Sequence, residues 1–164
     1  EMDRKEIFSK IIKITLKKEV EVQLVVDSCS QIKTSIRVNN FTGKIQKCDP
    51  VLFLISNNNI AWTRIYPALS KEKRMIWGGY SGKLFTILHE IGHCQVNVGL
   101  NYEKIQEEKR KLHKPFSGEQ HEFDIYYRNV LSERLADDWA TQWVKNHPNM
   151  AKYFSDLLIK EYGS

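Results

Sequence analysis

The sequence predicts an α+β chain, with a small, mostly antiparallel sheet in the first half and helices in the second. Three observations carry this. Glu19 to Val26 alternates Val20, Val22, Leu24 and Val26 with Glu19, Glu21, Gln23 and Val25, the period of a strand. The apolar runs before residue 80 are short and bounded by turn residues such as Ser56-Asn57-Asn58-Asn59. From Ser81 onward, apolar residues recur every three or four positions, the period of a helix. A sheet-rich half (about 1–80) followed by a helical half (81–164) is the order of an α+β chain, not of an alternating α/β one.

Ile7 to Leu16 is apolar-periodic and reads as a short helix leading into a strand. The alternation at 19–26 follows, then a strand at Ser35–Val38 closed by a turn at Asn39-Asn40. Val51–Ile55 and Ile60–Tyr66 flank the Ser56–Asn59 loop and read as a hairpin, and Met75-Ile76-Trp77 as a short strand ended by Gly78-Gly79. Ser81 is an N-cap and Gly99 a stop for a helix over Lys83–Val98, whose apolar stripe is Leu84, Ile87, Leu88, Ile91, Cys94 and Val98. A charged helix spans Tyr102–Leu112, and a loop follows at 114–118. One long helix is expected from Glu119 to Asn146, with Tyr127, Leu131, Leu135, Trp139 and Trp143 facing the core. Pro148 stops it, and a last helix covers Asn149–Tyr162.

At 164 residues, 41% hydrophobic and 27% charged, the chain is expected to be one domain over 1–164, with a core that needs no disulfides. No apolar run approaches the ~18 residues of a membrane span, and no signal peptide is read in Glu1-Met2-Asp3-Arg4-Lys5. Cys29, Cys48 and Cys94 are odd in number and widely spaced, so they read as reduced thiols in a cytoplasmic setting. The net charge of +5 hints at an anionic partner. The densest basic block, around Lys109-Arg110-Lys111, is interleaved with Glu103, Glu107 and Glu108, which argues for a solvated helix face and against nucleic acid.

The chemistry sits in His89-Glu90-Ile91-Gly92-His93. Histidines four apart on a helix project from one face, one turn apart, and can take two corners of a tetrahedral zinc site. Glu90 stays within reach of a water at that zinc and can take its proton. With five histidines in the chain, chance supplies this pattern only about 0.01 times. Gly92 costs roughly 1 kcal/mol in a helix interior, so close approach of another element is expected there. A catalytic zinc needs a third protein ligand. Glu133 is the best candidate, with Asp137 one turn further on to accept the free N–H of a ligand histidine. Tyr126, on the Glu133 face of an unbroken helix, is the first choice to donate to a developing oxyanion, ahead of Tyr127, His113 and His121.

His-Glu-x-x-His followed on a later helix by Glu-x-x-x-Asp resembles the gluzincin metallopeptidases. His89–His93 with Glu133-Arg134-Leu135-Ala136-Asp137-Asp138-Trp139-Ala140 looks closest to compact forms such as ImmA/IrrE-like peptidases and minimal single-domain gluzincins. The resemblance covers about 25 residues on two helices. It implies one zinc ion per chain on His89, His93 and Glu133, with Glu90 as general base and acid and Asp137 behind His89. It also implies a zincin-like helical half, a protein or peptide substrate, and an edge strand beside the cleft, which would place Arg64 and Tyr66 near the substrate. His93 and Glu133 are 40 residues apart, a longer gap than in thermolysin-like enzymes. A histidine third ligand, His113 or His121, as in SprT-like proteases, is the alternative. A zinc-containing regulatory module without turnover is the other, although the intact Glu90 favours an enzyme. A monomer is expected.

Overall fold

A computed structural model of the chain describes residues 2–114 and 116–164; Glu1, and Pro115 within the loop expected at 114–118, lie outside the described residues. The elements run α1 (Arg4–Leu16), β1 (Glu21–Val25), β2 (Gln31–Val38), β3 (Ile45–Ser56), α2 (Trp62–Ala68), α3 (Lys71–Trp77), α4 (Gly82–Val96), α5 (Tyr102–Leu112), α6 (Gln120–Asn129), α7 (Leu131–Asn146) and α8 (Pro148–Tyr162). The class is α+β, with a small sheet near the N-terminus and helices after it.

The three strands are ordered β1-β3-β2, so the last strand in sequence is the central one. It pairs antiparallel with β2 along most of its length and parallel with β1 over Leu52–Ser56 only, which makes the sheet mixed. Pro50, which lacks a backbone donor, sits in the part of β3 that β1 does not reach. α1 starts earlier than the apolar period suggests because Asp3 and Glu6 form a capping box, with the Glu6 N–H donating to Asp3 Oδ1 at 2.8 Å.

Two expected strands are helices. Ile60–Tyr66 does not close a hairpin. Trp62, Ile65, Tyr66 and Leu69 form an i, i+3, i+4, i+7 stripe, and α2 buries it. Met75–Trp77 is the last turn of α3, whose N-cap Ser70 accepts from the Lys73 N–H at 3.3 Å. Arg64 and Tyr66 therefore stand on a helix.

The helix expected over 119–146 is two. Val130 takes φ −59° and ψ 133°, ending α6 and starting α7. The first N–H of α7, on Leu131, donates to Glu108 Oε2 of α5 at 2.9 Å. A carboxylate from a distant helix thus caps the break.

α4 runs through the middle of the molecule. Ser81 caps it, accepting from the Lys83 N–H at 3.1 Å. Leu84, Phe85, Ile87, Leu88 and Ile91 are all buried in one cluster with residues of α1, β3, α7 and α8. Such all-round burial marks a helix at the centre of a core.

Candidate metal centre

α4 and α7 meet at Gly92. A β-carbon there would stand 2.9 Å from the backbone oxygen of Ala136 and 3.2 Å from its Cα. Ala136 and Ala140 are fully buried. Small residues on both sides let the backbones touch, as the cost of a mid-helix glycine implies. That contact sets His89 and His93 of α4 against Glu133 and Asp137 of α7.

Three ligand atoms converge. His89 Nε2 lies 2.8 Å from Glu133 Oε2, His93 Nε2 lies 3.2 Å from the same oxygen, and the two Nε2 atoms are 3.1 Å apart. Among the described residues, these three form the one group of three or more histidine, cysteine or acidic side chains placed to hold a metal ion. Two ligands on a tetrahedral zinc, each at about 2.0–2.1 Å, stand about 3.3 Å apart. An expansion of a few tenths of an ångström therefore fits the triangle to such an ion.

Asp137 stands behind His89. The Nδ1–H of His89 donates to Asp137 Oδ1 at 2.6 Å, which places the ring proton on Nδ1 and leaves Nε2 free to ligate. Phe85 stacks on the same imidazole, ring centroids 5.8 Å apart and 17° from parallel, and holds the ring plane. Arg128, absent from the sequence-level candidates, is buried here. Its Nη1 donates to Asp137 Oδ1 at 3.2 Å, and Nη2 lies 3.7 Å from Glu133 Oε2. A lone arginine in a polar stretch carries no local signal of such a role.

The electrostatics call for a cation. Glu133 and Asp137 pair with Arg128, and Asp137 Oδ2 is buried without a partner among the described residues. Burial disfavours a protonated His89, yet Glu133 and Asp137 outweigh it and raise the imidazole to about 10. Burial likewise opposes charge on Glu133, but His89 and His93 hold its carboxyl well below the ordinary range. Burial raises the Glu90 carboxyl, with the two histidines pulling the other way. A site that draws a proton onto His89 is short of positive charge, and a dication on the three ligand atoms would supply it.

The ligands open onto a cavity of about 510 Å³, lined by β2, α2, α4, α5, α6 and the start of α7. Glu90 lines it, as do Arg64, Tyr127 and Arg128; Tyr126, Tyr66, His113 and His121 do not. Tyr126 is 42% exposed and stacks on Phe116. The break at Val130 turns Tyr127 inward instead, and its hydroxyl donates to Glu133 Oε1 at 3.1 Å. Arg64 crosses from α2 to Asp124 of α6, Nη2 to Oδ1 at 2.7 Å. The edge strand at the cavity is β2, through Ile32, Thr34 and Ile36.

Among the described residues, no helix is long and apolar enough to cross a membrane. No family model, no curated protein and no solved structure matches the chain.

Proposed function

We propose that the chain is a zinc-dependent endopeptidase of the gluzincin type, with His89, His93 and Glu133 as ligands. The observation that carries the reading is the triangle of His89 Nε2, His93 Nε2 and Glu133 Oε2, backed by the 2.6 Å bond from His89 to Asp137 and set beside Glu90 in one cavity. A zinc ion held there supplies the charge that acidifies a water and polarises a peptide carbonyl.

The remaining steps fall to the chain's own groups. Glu90 takes the proton of the attacking water and passes it to the departing amine. Its raised affinity for a proton, caused first by burial, suits both halves of that transfer. Tyr127 stays protonated, because burial and then Glu133 push its hydroxyl up, so it remains a donor beside the ligand set. Asp137 and Arg128 keep His89 and Glu133 oriented.

An extended substrate can add to the open side of β2. The cavity follows α4 from Lys83 to Asn97, about 21 Å at the rise of a helix, or roughly six residues of extended peptide. It continues on both sides of the histidines, which favours cleavage within a chain over removal of a terminal residue. The free thiols of Cys29, Cys48 and Cys94 suit a reducing, cytoplasm-like compartment.

The test is metal analysis joined to a cleavage assay. We expect about one zinc per chain, and cleavage of reduced casein that stops with o-phenanthroline and returns with zinc. Protein that holds zinc yet leaves casein and a peptide library intact would instead be a binding module.

A further inference from the structure

We propose that the end of the cavity beyond His93 is a subsite for an acidic substrate side chain, with Asn97 holding the substrate main chain and Lys109 its carboxylate. This rests on the peptidase reading and names the substrate class that the site selects.

His89, His93 and Asn97 are spaced i, i+4 and i+8, so Asn97 continues the metal-binding face one turn further. It is the C-cap of α4, its backbone N–H bonded to the His93 carbonyl at 3.1 Å, and the residue lines the cavity. Asn97 Oδ1 is buried without a hydrogen-bond partner among the described residues. An orphaned buried acceptor is costly, and a turn of the Asn97 side chain at the cavity wall would bring it to a donor supplied by a ligand. A peptide N–H is such a donor.

Lys109 supplies the selectivity. The other cationic side chains at the cavity are already engaged: Arg64 with Asp124, Arg128 with Asp137, and Lys83 with the Ser56 carbonyl. Lys109 is exposed, lines the cavity, and has no ion pair or hydrogen bond among the described residues. Nearby Lys111, by contrast, pairs with Glu107. Lys109 follows Ile105 by one turn of α5; Ile105 packs in one buried cluster with Cys94 of α4 and Cys48 of β3, Ile36 of β2 is paired with Cys48, and both isoleucines line the cavity. Apolar walls leading to one ammonium group fit the methylenes and carboxylate of a glutamate.

Asn97 lies about 6 Å beyond His93 along the helix, the span of about two residues of extended chain. The selected side chain therefore stands about two residues from the scissile bond.

The experiment uses internally quenched peptides built around the bond that the wild-type protein cleaves in casein, with Glu, Gln or Lys at each flanking position. At one position about two residues from the bond, kcat/KM should favour Glu over Lys roughly tenfold, and the ratio should shrink in high salt. K109E should invert the preference and K109M should level it. N97A should raise KM several-fold for every peptide, more than it lowers kcat, with zinc content unchanged. A Glu/Lys ratio that K109E moves less than twofold, or a KM that N97A leaves alone, overturns the proposal. If the wild type cleaves no peptide, the peptidase reading falls. The subsite is then judged by fluorescence anisotropy of labelled casein peptides differing only in Glu or Lys: inversion by K109E sustains it, and no preference ends it.

Discussion

Tyr127 donates to Glu133 Oε1 across the break between α6 and α7, while its neighbour Tyr126 turns out to stack on Phe116. In a continuous helix the order would be reversed: residues seven apart, such as Tyr126 and Glu133, share a face, whereas residues six apart do not. Tyr127→Phe should lower kcat about a hundredfold, the scale of losing one donor to a developing oxyanion, with zinc retained. Tyr126→Phe should leave kcat within about twofold. Steady-state kinetics of the two variants, with zinc content measured on each, make the comparison. Equal effects would remove Tyr127 from the reaction.

Asp137→Asn should weaken zinc binding about 10- to 100-fold without unfolding the protein. The amide keeps the shape and loses the charge that answers the His89 Nδ1–H, and it leaves Arg128 facing a neutral group. Competition against a fluorescent zinc chelator, with circular dichroism as the fold control, reads the change. An affinity within twofold of wild type would place Asp137 outside the site.

Glu90→Gln should keep both fold and zinc and abolish cleavage, since glutamine nearly matches glutamate in shape but has no basicity. Unchanged casein turnover would assign the base to another group.

Gly92→Ala tests the seam. The new methyl would sit 2.9 Å from the Ala136 backbone oxygen and 3.3 Å from Trp139 Cε3. Helix propensity favours the change by about 1 kcal/mol, but overpacking costs about 1–3 kcal/mol. We expect lower stability in urea and a parallel loss of zinc affinity as α7 is pushed back. A variant more stable than wild type would show that the seam yields freely.

Lys83 gives a pH signature. Burial lowers its ammonium from 10.5 to about 8, with Arg4 adding to the effect. The unfolded chain then holds more protons than the folded one between those values. Stability should rise with pH across that window and carry its full penalty below about pH 8. The gain is up to about 3 kcal/mol. Tyr162, whose ring lies 5.2 Å from the Lys83 ammonium, is raised by burial and acts in the opposite sense above its ordinary 10. Urea melts from about pH 7.5 to 9.5, wild type against Lys83→Met, isolate the lysine, and the variant should lack the rise.

What could be read from the sequence was local. Ser81, the stripe of α4 and the paired histidines lie within seventeen residues of one another, and all follow from one helical period. Glu133 and Asp137 were legible for the same reason. α2 was not, because Ile60, Trp62, Arg64 and Tyr66 alternate like a strand while Trp62, Ile65, Tyr66 and Leu69 follow a helix. The buried stripe decided between them. The break at Val130 has no local mark: no proline or glycine stands there, and its cap comes from Glu108, 23 residues earlier. Arg128 was missed with it, and Tyr127 was ranked behind Tyr126, since both Arg128 and Tyr127 reach the site only because the chain turns at that point.

The Gly92–Ala136 contact changes what the 39 residues between His93 and Glu133 mean. A metal ion senses the distance between its ligands in space, and that distance is set where the two backbones touch. The length of the intervening chain does not enter it. α5, the loop after it and α6 form an excursion that leaves one docked helix and returns to its partner. The loop between α5 and α6 can change length while both helices keep their contacts with α7 and the triangle of ligand atoms stays fixed. The long spacing between His93 and Glu133 is therefore no obstacle to bringing His89, His93 and Glu133 together. The excursion brings Lys109, Tyr127 and Arg128 to the cavity, and of these Lys109 can change without touching His89, His93 or Glu133.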